Sequence, residues 1–104
     1  SGTAMRTLER MAEASSEWGI DPTEQETIAG SRGGTGPGGI SVHSIRLRGL
    51  VAHQEVLFGT DGETLTLRHD SLDRASFMAG ITLACRVISE HPGVTVGLDT
   101  YLGI

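Results

Sequence analysis

The middle of the chain alternates. From Ala52 to Phe58, Val56 and Phe58 fall on one side and Leu57 on the other. From Thr64 to His69, Leu65 and Leu67 face one way while Thr64, Thr66 and Arg68 face the other. A period of two marks half-buried strands. Between the two runs lies Gly59-Thr60-Asp61-Gly62, whose Asp-Gly pair is a hairpin turn signal. A chain carrying this segment is committed to antiparallel pairing, because only antiparallel strands close through so short a turn. Ile40–Leu47, rich in β-branched and aliphatic residues, extends the expectation to an antiparallel meander. Its apolar phase shifts between Ile40/Val42 and Ile45/Leu47, which predicts a bulge or burial on both faces.

Helical spacing brackets the strands. Ala4, Met5, Leu8, Met11 and Ala12 recur on one side, with Arg6, Glu9, Arg10 and Glu13 opposite. This predicts a helix from about Gly2 to Trp18, ended by Gly19 and Pro22. Phe77, Ile81, Ala84, Cys85 and Ile88 form a second stripe, capped by Ser71 or Asp73 and stopped at His91-Pro92-Gly93. A short extended segment, Val94–Val96, and the tail Leu98–Ile104 follow. The expected class is α+β, an open mixed, largely antiparallel sheet with two helices. So few elements cannot cover both faces of the sheet, so an exposed apolar patch is expected.

Between residues 21 and 39 the periodicity disappears, and Gly30–Gly39 reads as a mobile surface loop. Gly34, Gly36 and Gly39 match a formal G-x-G-x-x-G. A dinucleotide fingerprint must follow a strand and open a helix. This one follows a polar loop, contains Pro37 and leads into a strand, so it is rejected.

Composition narrows the function classes. The 104 residues make one domain at most, long enough to bury a core of about two thirds of the unfolded surface. A net charge of −5 argues against nucleic acid. No apolar run approaches the ~20 residues that span a bilayer, and no signal peptide is visible. The single cysteine, Cys85, suits the cytoplasm and reads as a small buried hydrophobe. The four histidines, His43, His53, His69 and His91, show no metal-ligand spacing, so no metal site is expected. No nucleophile motif is present, and no catalytic residue is assigned.

Two places carry binding chemistry. Ser1-Gly2-Thr3-Ala4 opens the first helix. The first N–H groups of a helix lack internal partners and sit at the positive end of its dipole. Gly2 lets a ligand approach the backbone, and Thr3 adds a hydroxyl, so the segment reads as an anion site; the plainer reading is an N-cap. Such a start to a chain is read as the C-terminal part of a longer enzyme. Arg74 and Phe77 lie one turn apart at the start of the second helix. A cation there opposes the dipole, which predicts an anionic partner for Arg74, with Asp70 and Asp73 as candidates.

Taken in order, these pieces resemble the C-terminal portion of the dihydrodipicolinate reductases. The likeness rests on Ser1-Gly2-Thr3-Ala4, a glycine-rich loop, Ile40-Ser41-Val42-His43-Ser44-Ile45-Arg46-Leu47 and Gly49-Leu50-Val51-Ala52-His53-Gln54-Glu55-Val56-Leu57-Phe58. Gly62-Glu63-Thr64-Leu65 and Arg68-His69-Asp70-Ser71-Leu72-Asp73-Arg74 complete it. The actinobacterial branch is most similar, and Ser15–Gly38 matches least. The resemblance implies an NADH- or NADPH-dependent reductase of diaminopimelate and lysine biosynthesis, built on a nucleotide-binding domain that precedes this portion. It implies that Gly2 and Thr3 bind a carboxylate of a small dicarboxylate substrate. It places Arg74 and Phe77 near the cofactor and the domain hinge, and the general-acid histidine and substrate lysine before Ser1. Residues 1–73 would form the substrate-binding and oligomerisation domain, joining a homotetramer through the sheet. Residues 74–104 would pack on the nucleotide-binding domain. The alternative is a non-catalytic oligomerisation or small-anion-binding module of the same fold.

Overall fold

A computed structural model describes all 104 residues. The chain divides into two compact units, Ser1–Arg48 and Gly49–Ile104.

The first unit is built on helix α1, Gly2–Ala14. Ser1 caps it, its Oγ accepting from the Ala4 N–H at 3.4 Å. The helix ends four residues earlier than its apolar spacing predicts. Ser15 turns extended, and the indole N–H of Trp18 folds back to donate to the Met11 carbonyl at 2.8 Å. The Met11 carbonyl also takes the Ser15 N–H at 3.2 Å, so the indole is its second donor. Two short strands, β1 (Gly34–Thr35) and β2 (Ser41–Val42), pair antiparallel around a 3-10 turn at Pro37–Gly39. The glycine-rich stretch is therefore an organised element rather than a plain loop. The strand expected over Ile40–Leu47 shrinks to Ser41–Val42, and Ile45 and Leu47 stand exposed.

The second unit opens with a long hairpin, β3 (Ala52–Thr60) and β4 (Glu63–Ser71). Asp61 and Gly62 form the turn, with Gly62 at φ 81°, a conformation that costs glycine nothing. The register pairs Val56 with Leu67 and Phe58 with Leu65 on one face. On the other face it pairs His53 with Asp70, Glu55 with Arg68 and Leu57 with Thr66. A 3-10 turn, Arg74–Phe77, leads into helix α2 (Met78–Val87), a second 3-10 turn (Ile88–Glu90) and the short helix α3 (Asp99–Leu102). Asp73, one of the two expected caps, accepts the Ala75 N–H at 2.7 Å. The α+β class expected from the sequence holds, with the strands divided into two antiparallel pairs and a third helix added in the tail.

The expected core is not formed within the chain. Leu8, 5% exposed, is the one buried hydrophobic residue. The total accessible surface is 8823 Å². A compact 11.0 kDa monomer would expose about 5,600 Å², and even two separate globules of half that mass about 6,800 Å². The excess is apolar in part: Leu65 is 58% and Leu67 56% exposed, and Leu57 more so. Of the stripe predicted on α2, Phe77, Ile81, Cys85 and Ile88 are exposed and only Ala84 is half-buried; Gly80, Leu83 and Val87 are the other better covered residues. No helix is long and apolar enough to cross a membrane.

Candidate functional site

Gly2 and Thr3 lie in the first turn of α1, both exposed. Helical hydrogen bonding starts with the Met5 N–H on the Ser1 carbonyl at 3.1 Å, and Ser1 Oγ takes the Ala4 N–H. The N–H groups of Gly2 and Thr3 are left as donors toward solvent, next to one another. A Cβ added at Gly2 would meet nothing within 4 Å, so the backbone is open to close approach. The Thr3 carbonyl accepts the Thr7 hydroxyl at 3.0 Å, and the Thr3 hydroxyl makes no hydrogen bond of its own. Two adjacent N–H groups, one hydroxyl and a dipole end make a small cradle whose chemistry fits one carboxylate.

Below that turn, α1 is held by the glycine-rich segment. A Cβ on Gly36 would fall 2.8 Å from Leu8 Cδ1, and one on Gly38 would fall 3.1 Å from Ala12 Cβ. The Gly36 N–H donates to the Ile40 carbonyl at 2.8 Å and closes the turn that carries these glycines. Nearer the start of the loop, the Glu26 carboxylate accepts from the Gly30 and Arg32 N–H groups, at 2.9 and 3.1 Å. Arg32 in turn reaches the Thr23 carbonyl and the Asp21 carboxylate.

Arg74 and Phe77 sit in the 3-10 turn that precedes α2. The carboxylate partner expected for Arg74 is not there. Asp73 is committed to its cap, and Asp70 is taken by Arg68 and His53. The Arg74 guanidinium is thus an exposed cation with neither an ion pair nor a hydrogen bond. Phe77, 45% exposed, lines an open groove of about 460 Å³ with His69, Ser71, Ser76, Ile81 and Leu98. Ser71 is buried there and accepts from the Ser76 hydroxyl at 3.0 Å.

Spacing alone did not reveal the polar ladder across the hairpin. Asp70 receives the Arg68 Nε–H at 2.8 Å and stands 2.5 Å from His53 Nδ1. Arg68 also donates to Glu55 at 2.9 Å. The Val51 N–H points to His53 Nε2 at 3.4 Å, which assigns the ring proton to Nδ1. Hydrogen bonds from Arg68 and then His53 hold the Asp70 carboxyl down to about 2. The register could have found this cluster: counting outward from a two-residue turn at Asp61-Gly62 sets His53 opposite Asp70 and Glu55 opposite Arg68. No group of three or more His, Cys, Asp or Glu side chains converges as a metal would require.

The family model "Dihydrodipicolinate reductase, C-terminus" matches residues 1–102. A 4-hydroxy-tetrahydrodipicolinate reductase from Mycolicibacterium vanbaalenii is 55% identical over all of this chain and 42% of its own length. The reductase of the same name from Nocardia farcinica is also 55% identical, again over the whole chain and 43% of its own length. The chain thus spans about two fifths of the curated relatives it matches. Among solved structures, a dipicolinate-bound dihydrodipicolinate reductase from Paenisporosarcina sp. TG-14 superposes with a TM-score of 0.79 at 44% identity. That match covers 96% of this chain and 38% of the other. On a family match over nearly its whole length, the chain belongs to the dihydrodipicolinate reductase C-terminal family.

Proposed function

We propose that this chain is the substrate-binding and assembly portion of a 4-hydroxy-tetrahydrodipicolinate reductase, acting in diaminopimelate and lysine biosynthesis in the cytoplasm. The observation that carries the reading is the adjacent, unpartnered N–H pair of Gly2 and Thr3 in a chain matched end to end by such reductases. The substrate of that reaction is a small cyclic dicarboxylate, and the solved neighbour holds dipicolinate, itself a planar dicarboxylate. Gly2 and Thr3 would grip one carboxylate through two backbone donors and one hydroxyl. The grip neutralises charge and fixes the ring without taking part in proton transfer.

The dinucleotide, NADH or NADPH, supplies a hydride when bound. Arg74 and Phe77 suit its approach: an unpaired guanidinium can donate to a phosphate or ribose oxygen, and a half-exposed ring offers an apolar wall. Residues 1–73 serve substrate binding and oligomerisation, and residues 74–104 pack on the nucleotide-binding domain. The open face carrying Leu65 and Leu67 would be covered in a homotetramer, whose closed symmetry buries like against like. An exposed Cys85 thiol suits a reducing compartment.

The test is oxidation of NAD(P)H with freshly prepared substrate. The reductase that contains this chain turns over, and the 104-residue chain alone does not. Comparable turnover by the chain alone would sink the reading.

A further inference from the structure

We propose that Gly36 is a positioning residue for the carboxylate cradle, setting the place of Gly2 and Thr3 by letting the glycine-rich turn lie directly against Leu8. The proposal rests on the reading of Gly2 and Thr3 given above.

Helix α1 has little else to hold it. Leu8 is its only buried side chain, and in this chain the only buried hydrophobic one of any kind. What Leu8 packs against therefore decides where the helix lies. A Cβ on residue 36 would be 2.8 Å from Leu8 Cδ1 and 3.4 Å from the Ile40 carbonyl oxygen. The turn cannot retreat freely, because the Gly36 N–H is bonded to that same Ile40 carbonyl and Gly38 rests on Ala12. Leu8 cannot simply swing away either, since it is almost fully covered. Leu8 Cδ1 is the end of a flexible side chain, so the proposal requires that part of the relief come from a shift of α1 rather than from a Leu8 rotamer alone.

Leu8 lies five residues from Thr3, about 7.5 Å along the axis at 1.5 Å per residue. Between them the helix is continuous, so a shift at Leu8 carries the first turn with it. Binding constellations tolerate displacements of only about 0.5 Å. The sequence shows Gly36 only as part of a rejected dinucleotide motif; its use here is to leave room for the Leu8 side chain against the turn.

Gly36→Ala in the reductase containing this chain should raise the KM for substrate and the Kd for dipicolinate about tenfold, with the KM for NAD(P)H unchanged. Leu8→Val shortens the side chain on the other side of the contact, and the double variant Gly36→Ala/Leu8→Val should recover most of the dipicolinate affinity. Should Gly36→Ala fail to fold, Leu8→Val alone is the test, with a smaller weakening of dipicolinate and no change toward the dinucleotide. A lowered Tm with unchanged KM and Kd overturns the proposal, as does failure of the double variant to recover. Thr3→Val separates this proposal from the reading beneath it. If Thr3→Val leaves dipicolinate binding intact, the cradle itself is wrong. If Thr3→Val weakens binding and Gly36→Ala does not, only the positioning role falls.

Discussion

The two units solve the same shortage of core in opposite ways. Ser1–Arg48 gathers itself around one leucine: α1 is short, but glycines at 36 and 38 let a second piece of backbone reach it, and Trp18 seals its end. Gly49–Ile104 invests in its backbone ladder instead. Nine residues on each strand pair from Ala52/Ser71 to Thr60/Glu63, while the apolar face they present stays open. An isolated two-stranded hairpin is marginal in water, so the second unit depends on what covers it and the first much less. The difference separates the jobs as well. On the proposed function, the carboxylate donors fall in the first unit, and the open face of the second would meet other protein.

The largest effect expected from this comparison is at Gly33. Its φ is +74°, and a Cβ there would fall 2.3 Å from the Val42 carbonyl oxygen and 2.8 Å from His43 Nδ1. Gly33→Ala should cost about 2–4 kcal/mol in urea unfolding. Gly30→Ala, at φ +79° but with nothing within 4 Å, should cost about 1 kcal/mol. Equal losses at the two sites would mean that the glycine-rich element is not locked.

Truncating leucines sharpens the contrast directly. In the chain alone, Leu8→Ala should cost about 2–3 kcal/mol, whereas Leu67→Ala, half exposed, should stay within about 0.5 kcal/mol. In the assembled reductase Leu67→Ala should become the costly one, read as a fall in the concentration-dependent Tm. A large cost for Leu67→Ala in the chain alone would show that the hairpin face is already covered.

The smallest effect concerns the polar ladder. Asp70 lies below its ordinary value of 3.8, at about 2, because Arg68 and His53 hydrogen-bond its charged form. A carboxyl depressed in the folded state favours folding above its unfolded value and loses that contribution as pH falls through the folded one. Acid titration followed by circular dichroism should therefore show the hairpin weakening between about pH 4 and pH 2. Asp70→Asn should remove that step. The same acid profile in Asp70→Asn would mean that the exposed cluster contributes nothing measurable, as many surface pairs do.

Much of this was legible beforehand, and the failures have physical causes. The hairpin was readable because a period of two and an Asp-Gly turn agree on one register. The start of α1 was readable from Ser1 and its apolar spacing. Its end was not, because Trp18 reaches back over seven residues to Met11, a tertiary bond that no local pattern encodes. The apolar spacing of Cys85 and its stripe points to a buried face, but spacing does not say whether the covering partner lies within the chain, and here it does not. Proximity in sequence offers Arg74 two carboxylates, yet Asp73 caps the following turn and Asp70 is held by Arg68 and His53. In the site, Gly2 and Thr3 were visible as residue types at a helix start. The glycine platform under them is not, since the fit of a turn against Leu8 and Ala12 is absent from composition.

The central claim, that the first turn of α1 holds a substrate carboxylate, is tested most directly by steady-state kinetics of Thr3→Val in the reductase containing this chain. Valine keeps the shape and removes the donor. Hydrogen bonds to charged groups contribute roughly 1.5–3 kcal/mol, so kcat/KM should fall by about ten- to a hundred-fold with the melting temperature nearly unchanged. A normal kcat/KM with a lowered melting temperature would contradict the claim and leave Thr3 as nothing more than part of a helix start.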